Sequence, residues 1–435
     1  LRVCLWPPGW LELGSSWGST CCGANAQTLG HHPSRRDQAL MRVITRHTFA
    51  LILMHFAHAS QAKNVRREYI KVNCRNVSHP PPISFLAQHS SAMEPVRAAA
   101  CGKGKLAPNV RAQMHVAYLS VGTSRAIDKR TQFTFAAISH VERLSTSMQA
   151  AYHLVTNEGT KDVRRRLCQS VQLSALYSTG RLHVHSLRTA PAEALRLHRQ
   201  LESRARGNGR LYLWKNVLHL LLPGWMSRVL FLDADLFFLS DPALLWQQFD
   251  QFSLGQYIGM TVEESMSRHE VYSDGGVSFN SGVLLMDLDG LRRSNLYSRL
   301  LSRHSDPTSA DLGWTADQAL FSDMSTNSSG GRSLFYTLPC GWNLQTSTNG
   351  VKTAATFKAL HRCTMAPCHA IHGNEFESKK VLWQLLDQPY DRSTCFNVFE
   401  QYRCHVDPFR KQAPAARMHG FLTQRCCKQP KYGAV

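Results

Sequence analysis

Asp233 and Asp235 stand two residues apart, directly after the most apolar stretch of the chain, Val229-Leu230-Phe231-Leu232. Two carboxylates this close repel each other unless a cation lies between them. A hard divalent cation held by oxygen keeps positions open for phosphate oxygens. In an extended chain, side-chain alternation with period two sends both carboxylates to one side. Two solvated turn aspartates produce the same Asp-Ala-Asp pattern. The flanks favour the first reading, because Leu236-Phe237-Phe238-Leu239 follow and unpaired charge in an apolar frame is costly.

Three further stretches place polar groups at the ends of apolar runs. Phe279-Asn280-Ser281-Gly282-Val283-Leu284-Leu285-Met286 passes from small and amide residues into an apolar strand. It is either a turn or a site wall, where small residues let a sugar approach the backbone and Asn280 supplies oriented hydrogen bonds. Asp317 and Gln318 follow Trp314-Thr315-Ala316 and open a helix. They offer a carboxylate and an amide, although helix capping by Thr315 or Asp317 explains the pattern equally well. His372 leaves Ala370-Ile371 beside Gly373 and Asn374, the setting of a third metal ligand or of a structural histidine.

The surrounding pattern shows what must hold these residues. Strands are predicted at 115–122, 151–156, 181–187 and 229–232, and helices at 132–144, 161–176, 191–205 and 211–222. Pro223-Gly224 stops the last helix. Strands alternating with helices imply a largely parallel sheet covered on both faces. Ligands of such sheets bind beyond the carboxyl ends of the strands, where Asp233 and Asp235 fall.

At 435 residues, 43% hydrophobic and 18% charged, the chain suits one large domain with appended segments rather than a disordered polymer. The net charge of +20 comes mostly from the flanks, since residues 1–109 hold 13 Lys/Arg against 4 Asp/Glu and residues 381–435 hold 8 against 4. The middle carries 29 against 22, a mild excess that suits a small anionic ligand. With no basic helix interleaved with aromatics and no zinc-like Cys/His pairs, nucleic acid is not an expected partner.

From Met41, the sequence MRVITRHTFALILMHFAHASQA has a basic start, an apolar run and Ala57-His58-Ala59 as a cleavage site. The run is too short to span a bilayer, which takes about 20 residues. Membrane association is therefore expected only through this segment, if it stays uncleaved. The expected organisation is upstream sequence at 1–40, a signal peptide or short anchor at 41–59, and a polar stem at 60–109. A folded domain at 110–380 and a cysteine-containing extension at 381–435 complete it. Seven of thirteen cysteines lie in the last 96 residues. In a chain with a secretory signal that density reads as disulfides, and the sequons Asn76-Val77-Ser78 and Asn327-Ser328-Ser329 fit a lumenal location in the endoplasmic reticulum or Golgi.

In order, the signal segment, the stem, D-x-D after a strand, F-N-S-G-V, D-Q, C-x-W-N and H-G-N resemble glycosyltransferase family 8, whose fold is GT-A. The match covers about residues 110–380. It looks finest to the xyloside xylosyltransferase branch through Phe249-Asp250-Gln251-Phe252, Arg292 to Leu301 and Phe357 to Cys363.

The resemblance implies an α/β, Rossmann-like GT-A domain with a mixed, mostly parallel sheet flanked by helices. It implies Mn2+ held by Asp233, Asp235 and His372, with the ion holding the diphosphate of a UDP-sugar. Ser120, Val121 and Gly122 would line the uridine end, and Ala234 lies within the metal motif on the donor side. Asn280, Ser281 and Gly282 would face the sugar, with Asp317 and Gln318 as the catalytic pair beside the anomeric carbon. Trp342 and Asn343 would form the acceptor wall and Asn374 the donor wall. The helix before the D-x-D often carries a basic residue toward the donor, and Lys215 and His219 both qualify. Transfer would retain configuration without a covalent nucleophile, moving xylose from UDP-xylose to a glycoprotein glycan, a xylose-glucose disaccharide on EGF-like repeats. Other family 8 activities, including glucoside xylosyl-, glucosyl- and galactosyltransfer, remain open. The family's D-Q-D reads Asp317-Gln318-Ala319 here, which also leaves room for an inactive sugar-binding secretory protein.

Overall fold

The computed structural model describes residues 114–122, 124–264, 277–309, 311–326, 328–347, 363, 367–374 and 426. The expected signal segment, stem and both sequon asparagines lie outside them, as do nearly all of the C-terminal extension and most of the 357–363 match.

The described strands are β1 (Met114–Ser120), β2 (Ala150–Thr156), β3 (Leu182–Ser186), β4 (Arg228–Leu232) and β5 (Leu236–Phe238). They continue with β6 (Ile258–Val262), β7 (Phe279–Asp287), β8 (Phe335–Thr337), β9 (Leu344–Gln345) and β10 (Ala370–His372). Helices α1 (Ser124–Leu144), α2 (Thr160–Leu167), α3 (Val171–Ser178), α4 (Ala192–Glu202), α5 (Gly209–Tyr212) and α6 (Leu218–Leu221) precede β4. After β5 come α7 (Pro242–Trp246), α8 (Leu288–Arg293), α9 (Asn295–Ser305) and α10 (Ala316–Met324). Among the described residues no helix is long and apolar enough to cross a membrane.

One sheet runs in the order β3-β2-β1-β4-β7-β6-β8 and a smaller one in the order β5-β10-β9. Strands β3, β2, β1 and β4 are parallel, β7 is antiparallel to β4 and β6, and β8 is parallel to β6. This is the mixed, mostly parallel α/β architecture the sequence implies. Every residue of β2 is buried, as an inner parallel strand covered on both faces requires. Strand β4 feeds two apolar layers by alternation. Leu230 and Leu232 join Phe135 and Ile138 of α1 on one face, while Val229 and Phe231 join Leu197 and Leu201 of α4 on the other.

Two predicted helices are broken. The expected 161–176 helix stops at Leu167 and restarts at Val171, because the Ser170 hydroxyl accepts from Leu173 N and caps a new helix. The expected 211–222 helix is two short α turns around a tighter 3₁₀ segment, Leu213–Val217, in which all five residues are buried. A single amphipathic helix would expose one side, whereas the 3₁₀ winding lets this run, Lys215 included, sit inside.

Two disulfides lie among the described residues, Cys340–Cys363 and Cys368–Cys426, with Cα atoms 5.5 and 5.2 Å apart. They flank the segment that carries β9 and β10.

Candidate functional site

Asp233 and Asp235 leave β4 in a tight turn, not in the extended run the period-two argument assumed, and β5 begins at the next residue. The turn brings the two acids to a third element. Strand β10 pairs antiparallel with β5, setting His372 opposite Leu236. Gly373 N then donates to Asp235 O at 2.9 Å, and Asp233 N to Gly282 O at 2.9 Å. His372 Nε2 lies 3.4 Å from Asp235 Oδ1 and 3.8 Å from Asp233 Oδ2. One ligand atom from each of the three residues falls within 4.8 Å of the others.

Ligands about 2.1 Å from one ion stand about 3–4 Å apart. Two carboxylate oxygens and an imidazole nitrogen form a donor set that fits a divalent cation. Burial raises the Asp233 carboxyl above the usual carboxylate range, with Lys215 opposing and Asp235 adding to the shift. That balance is one a divalent cation would reverse.

The ring of His372 lies close against Gly282. A Cβ there would meet His372 Cε1 at 2.3 Å and Nδ1 at 2.6 Å, so the glycine is required by the imidazole.

Lys215 completes the corner from the 3₁₀ segment. Its Nζ is 2.8 Å from Asp233 Oδ1 and 3.2 Å from Asp317 Oδ2, and the side chain is 2% exposed. It also donates to Ser281 O and Ser281 Oγ at 3.1 and 3.2 Å. Burial lowers its pKa, but Asp233 and Asp317 outweigh that and raise it above the ordinary lysine value. His219 is turned away, edge-on to Tyr297, with its pKa pushed down to about 4 by burial and Arg292. The geometry therefore selects Lys215 over His219.

Asn280, Ser281 and Gly282 lie inside β7 rather than in a turn before it. Their side chains serve the frame. Asn280 Nδ2 donates to Glu263 Oε2 at 2.9 Å, while Asn280 Oδ1 accepts from Gly282 N and Asn343 Nδ2. Ser281 Oγ donates to Asp317 Oδ2 at 2.5 Å. Asp317 and Gln318 stand in the first turn of α10, but Thr315 at its N-cap makes no side-chain capping bond. Helix capping therefore does not account for Asp317, which is committed to Lys215 and Ser281.

At the neighbouring strand end, Ser120 is fully buried with its hydroxyl 2.9 Å from Thr131 Oγ1, and Val121 belongs to the core. Gly122 is locked to Asn157 by two hydrogen bonds, of 3.1 and 2.9 Å. Only Gly122 of these three is partly exposed, so recognition here would fall to backbone atoms. Ala234 packs on the core beneath the acids. Trp342 stacks on His369 with ring centroids 4.0 Å apart, and Asn343 is 1% exposed behind Asn280. These two support the wall from behind rather than lining it as expected. Asn374 accepts from Thr346 N at 3.1 Å beside the end of β10.

Glu263 escaped the sequence reading. It is buried, and its Oε2 also accepts from Gln318 Nε2 at 2.6 Å. Its signal was available, since Glu263-Glu264 ends an apolar strand as Asp233 does.

The model of glycosyl transferase family 8 matches residues 129–372, more than half of the chain and ending on His372. The chain belongs to glycosyl transferase family 8. As a family 8 member it is a glycosyltransferase with xylosyltransferase relatives. Human xyloside xylosyltransferase 1 is 24% identical over 322 residues, spanning 68% of this chain and 81% of that protein. Human xylosyl- and glucuronyltransferase LARGE2 is 33% identical over 168 residues, which is 35% of this chain and only 23% of that larger protein. Among solved structures, the apo form of mouse xyloside xylosyltransferase 1 is 23% identical with a TM-score of 0.49, covering 60% of this chain and 97% of that one.

Proposed function

We propose that this family 8 enzyme transfers xylose from UDP-xylose, with retention, to a xylose-terminated glycan on a secretory glycoprotein carrying EGF-like repeats. The work would take place in the lumen of the endoplasmic reticulum or Golgi. The observation that carries the reading is the convergence of Asp233 and Asp235, from the turn after β4, with His372, from the distant strand β10, at the carboxyl edge of the sheet. The long match to xyloside xylosyltransferase 1 supports xylose as the sugar.

Asp233, Asp235 and His372 would hold Mn2+, which as a Lewis acid stabilises the charge that builds on the departing diphosphate. Lys215 keeps the carboxylates of Asp233 and Asp317 oriented and places a fixed positive charge beside them. Asp317 and Gln318 would border the anomeric carbon, and the Asp317 carboxylate is already engaged by Lys215 and Ser281. Same-face attack by the acceptor hydroxyl then relies on positioning and preorganised charge.

A second reading, an inactive sugar-binding protein, draws on Ala319. It is 4% exposed in the apolar layer, so the family's further carboxylate is replaced by a core contact. A screen of UDP-xylose, UDP-glucose and UDP-galactose hydrolysis with and without Mn2+ separates the readings. Mn2+-dependent turnover of UDP-xylose is expected, and Asp235→Asn is expected to lower it by about a hundredfold or more with little change in thermal unfolding. Turnover of a different donor would overturn the sugar assignment. Silence with all three would favour the binding protein.

A further inference from the structure

The wall beside Gln318 fixes which end of that side chain the reaction meets. An ionised carboxylate only accepts hydrogen bonds, whereas a primary amide presents two donors at one end and an acceptor at the other. Glu263 follows β6, where the pairing with β7 slips between Met260 and Thr261. Its backbone is held by Glu263 N donating to Ser278 O at 2.8 Å, and the residue is 3% exposed. Its Oε2 accepts from Gln318 Nε2 at 2.6 Å and from Asn280 Nδ2 at 2.9 Å. Gln318 Nε2 also donates to Phe279 O at 3.3 Å.

Asn280 gives an independent check on the orientation. Its Oδ1 accepts from Gly282 N at 3.0 Å and from Asn343 Nδ2 at 2.8 Å, so its NH2 must face Glu263. Asn343 Nδ2 in turn reaches Thr261 Oγ1 at 2.9 Å. Asn280 and Gln318 are each turned one way by neighbours that can only accept or only donate, and Asn343 follows the orientation of Asn280. Both N–H groups of Gln318 are thereby spent on the wall, and among the described residues its carbonyl oxygen takes no hydrogen bond. Gln318 is also only partly buried, while Asp317 beside it is committed to Lys215 and Ser281.

We propose that Glu263 is a positioning residue of the transfer site. It holds the Gln318 NH2 in the wall and so presents the Gln318 carbonyl oxygen to the donor sugar. This rests on the reading above that places Gln318 beside the anomeric carbon. The sign of the dipole is what counts. As the bond from the anomeric carbon to the diphosphate oxygen breaks, its electron pair leaves with the diphosphate and positive charge builds on the carbon. A carbonyl oxygen aimed there stabilises that charge, and an NH2 in the same place opposes it. Glu263→Gln keeps the size and shape but can donate as well as accept, which lets Gln318 turn over.

The test is a double-mutant cycle of Glu263→Gln and Gln318→Ala on Mn2+-dependent UDP-xylose hydrolysis by the full chain, with UDP-xylose binding followed by calorimetry. Expected are a fall in kcat of about ten- to a hundredfold in Glu263→Gln and a donor Kd within about twofold of wild type. In the Gln318→Ala background, the further loss from Glu263→Gln should be less than about twofold. The same loss in both backgrounds, or an unchanged kcat in Glu263→Gln, overturns the proposal. If Glu263→Gln fails to fold, Glu263→Met, which removes the acceptor at similar volume, is read in the same cycle by the same criteria. A wild-type enzyme that turns over no UDP-sugar sinks the functional reading and this proposal together, whereas turnover with additive losses sinks only this one.

Discussion

The lysine at the centre of the site ties two of its acids together, and this can be tested one side chain at a time. Lys215 pairs with two carboxylates from inside the protein. Removing one partner of a buried ion pair typically costs about 3–5 kcal/mol, because the other charge is left uncompensated. Lys215→Met is therefore expected to lower the thermal midpoint markedly, and added Mn2+ should regain more of it than in wild type. Equal midpoints with and without metal would refute the electrostatic role. Gly282→Ala probes the opposite partner, since its new methyl occupies the space of the His372 ring. Mn2+ binding followed by electron paramagnetic resonance should weaken by about tenfold or more, a scale set by loss of ligand orientation. The acid pair and His372 were legible as chemistry because apolar residues flank them. The inward roles of Asn280 and Ser281 were not. A polar residue in a strand has the same sequence signature whether it meets a ligand or a buried carboxylate.

At the scale of elements, strands and chain order were legible wherever hydrophobic period and Pro-Gly breaks marked them. Illegible were the 3₁₀ turn that buries Lys215 and the pairing of β10 with β5, both set by tertiary contacts between segments far apart in sequence. The same is true of a histidine ladder. Parallel pairing of β1, β2 and β3 gathers His115, His153, His183 and His185. His153 sits between His115 and His185 with nitrogen separations of 3.1 and 3.0 Å, and His183 stacks on it at 4.9 Å. Burial, with neighbouring histidines adding, pushes His115 and His185 down to about 4 and His153 well below its ordinary value. Unfolded, these rings titrate near 6.5. Between about pH 6.5 and 4 the unfolded chain therefore binds more protons, and stability must fall as pH falls. Urea unfolding should show a lower midpoint at pH 5 than at pH 7, and His153→Gln should flatten that slope. His140, His198, His219 and His369 are depressed as well, so the slope shrinks without vanishing. An unaltered slope would show that the ladder carries none of it.

For the molecule as a whole, the cysteine-rich end proves to be tied to the site. Cys368 precedes His369, whose backbone bridges Gly341 and Leu239 with hydrogen bonds of 2.8 and 2.7 Å and whose ring lies on Trp342. Three residues on, His372 meets the acids. The sequence separations of 23 and 58 residues across the two bridges correspond to about 3 and 4 kcal/mol of loop-closure entropy. The Cys368–Cys426 bridge thus makes a residue distant in sequence hold the strand that carries one of the three side chains proposed to bind the metal. Stability and metal binding should be coupled through it. In the intact protein, Mn2+ at about a hundred times its Kd adds about 2.7 kcal/mol. In Cys368→Ser/Cys426→Ser the unfolding free energy is expected to drop by about 2–4 kcal/mol. The stabilisation gained from the same Mn2+ concentration should also be smaller, because β10 must first be ordered at the expense of binding. Chemical denaturation of both proteins with and without Mn2+ measures the two quantities together. A variant that loses stability yet gains as much from Mn2+ as the intact protein would show that the bridge stabilises the fold without holding His372 in place.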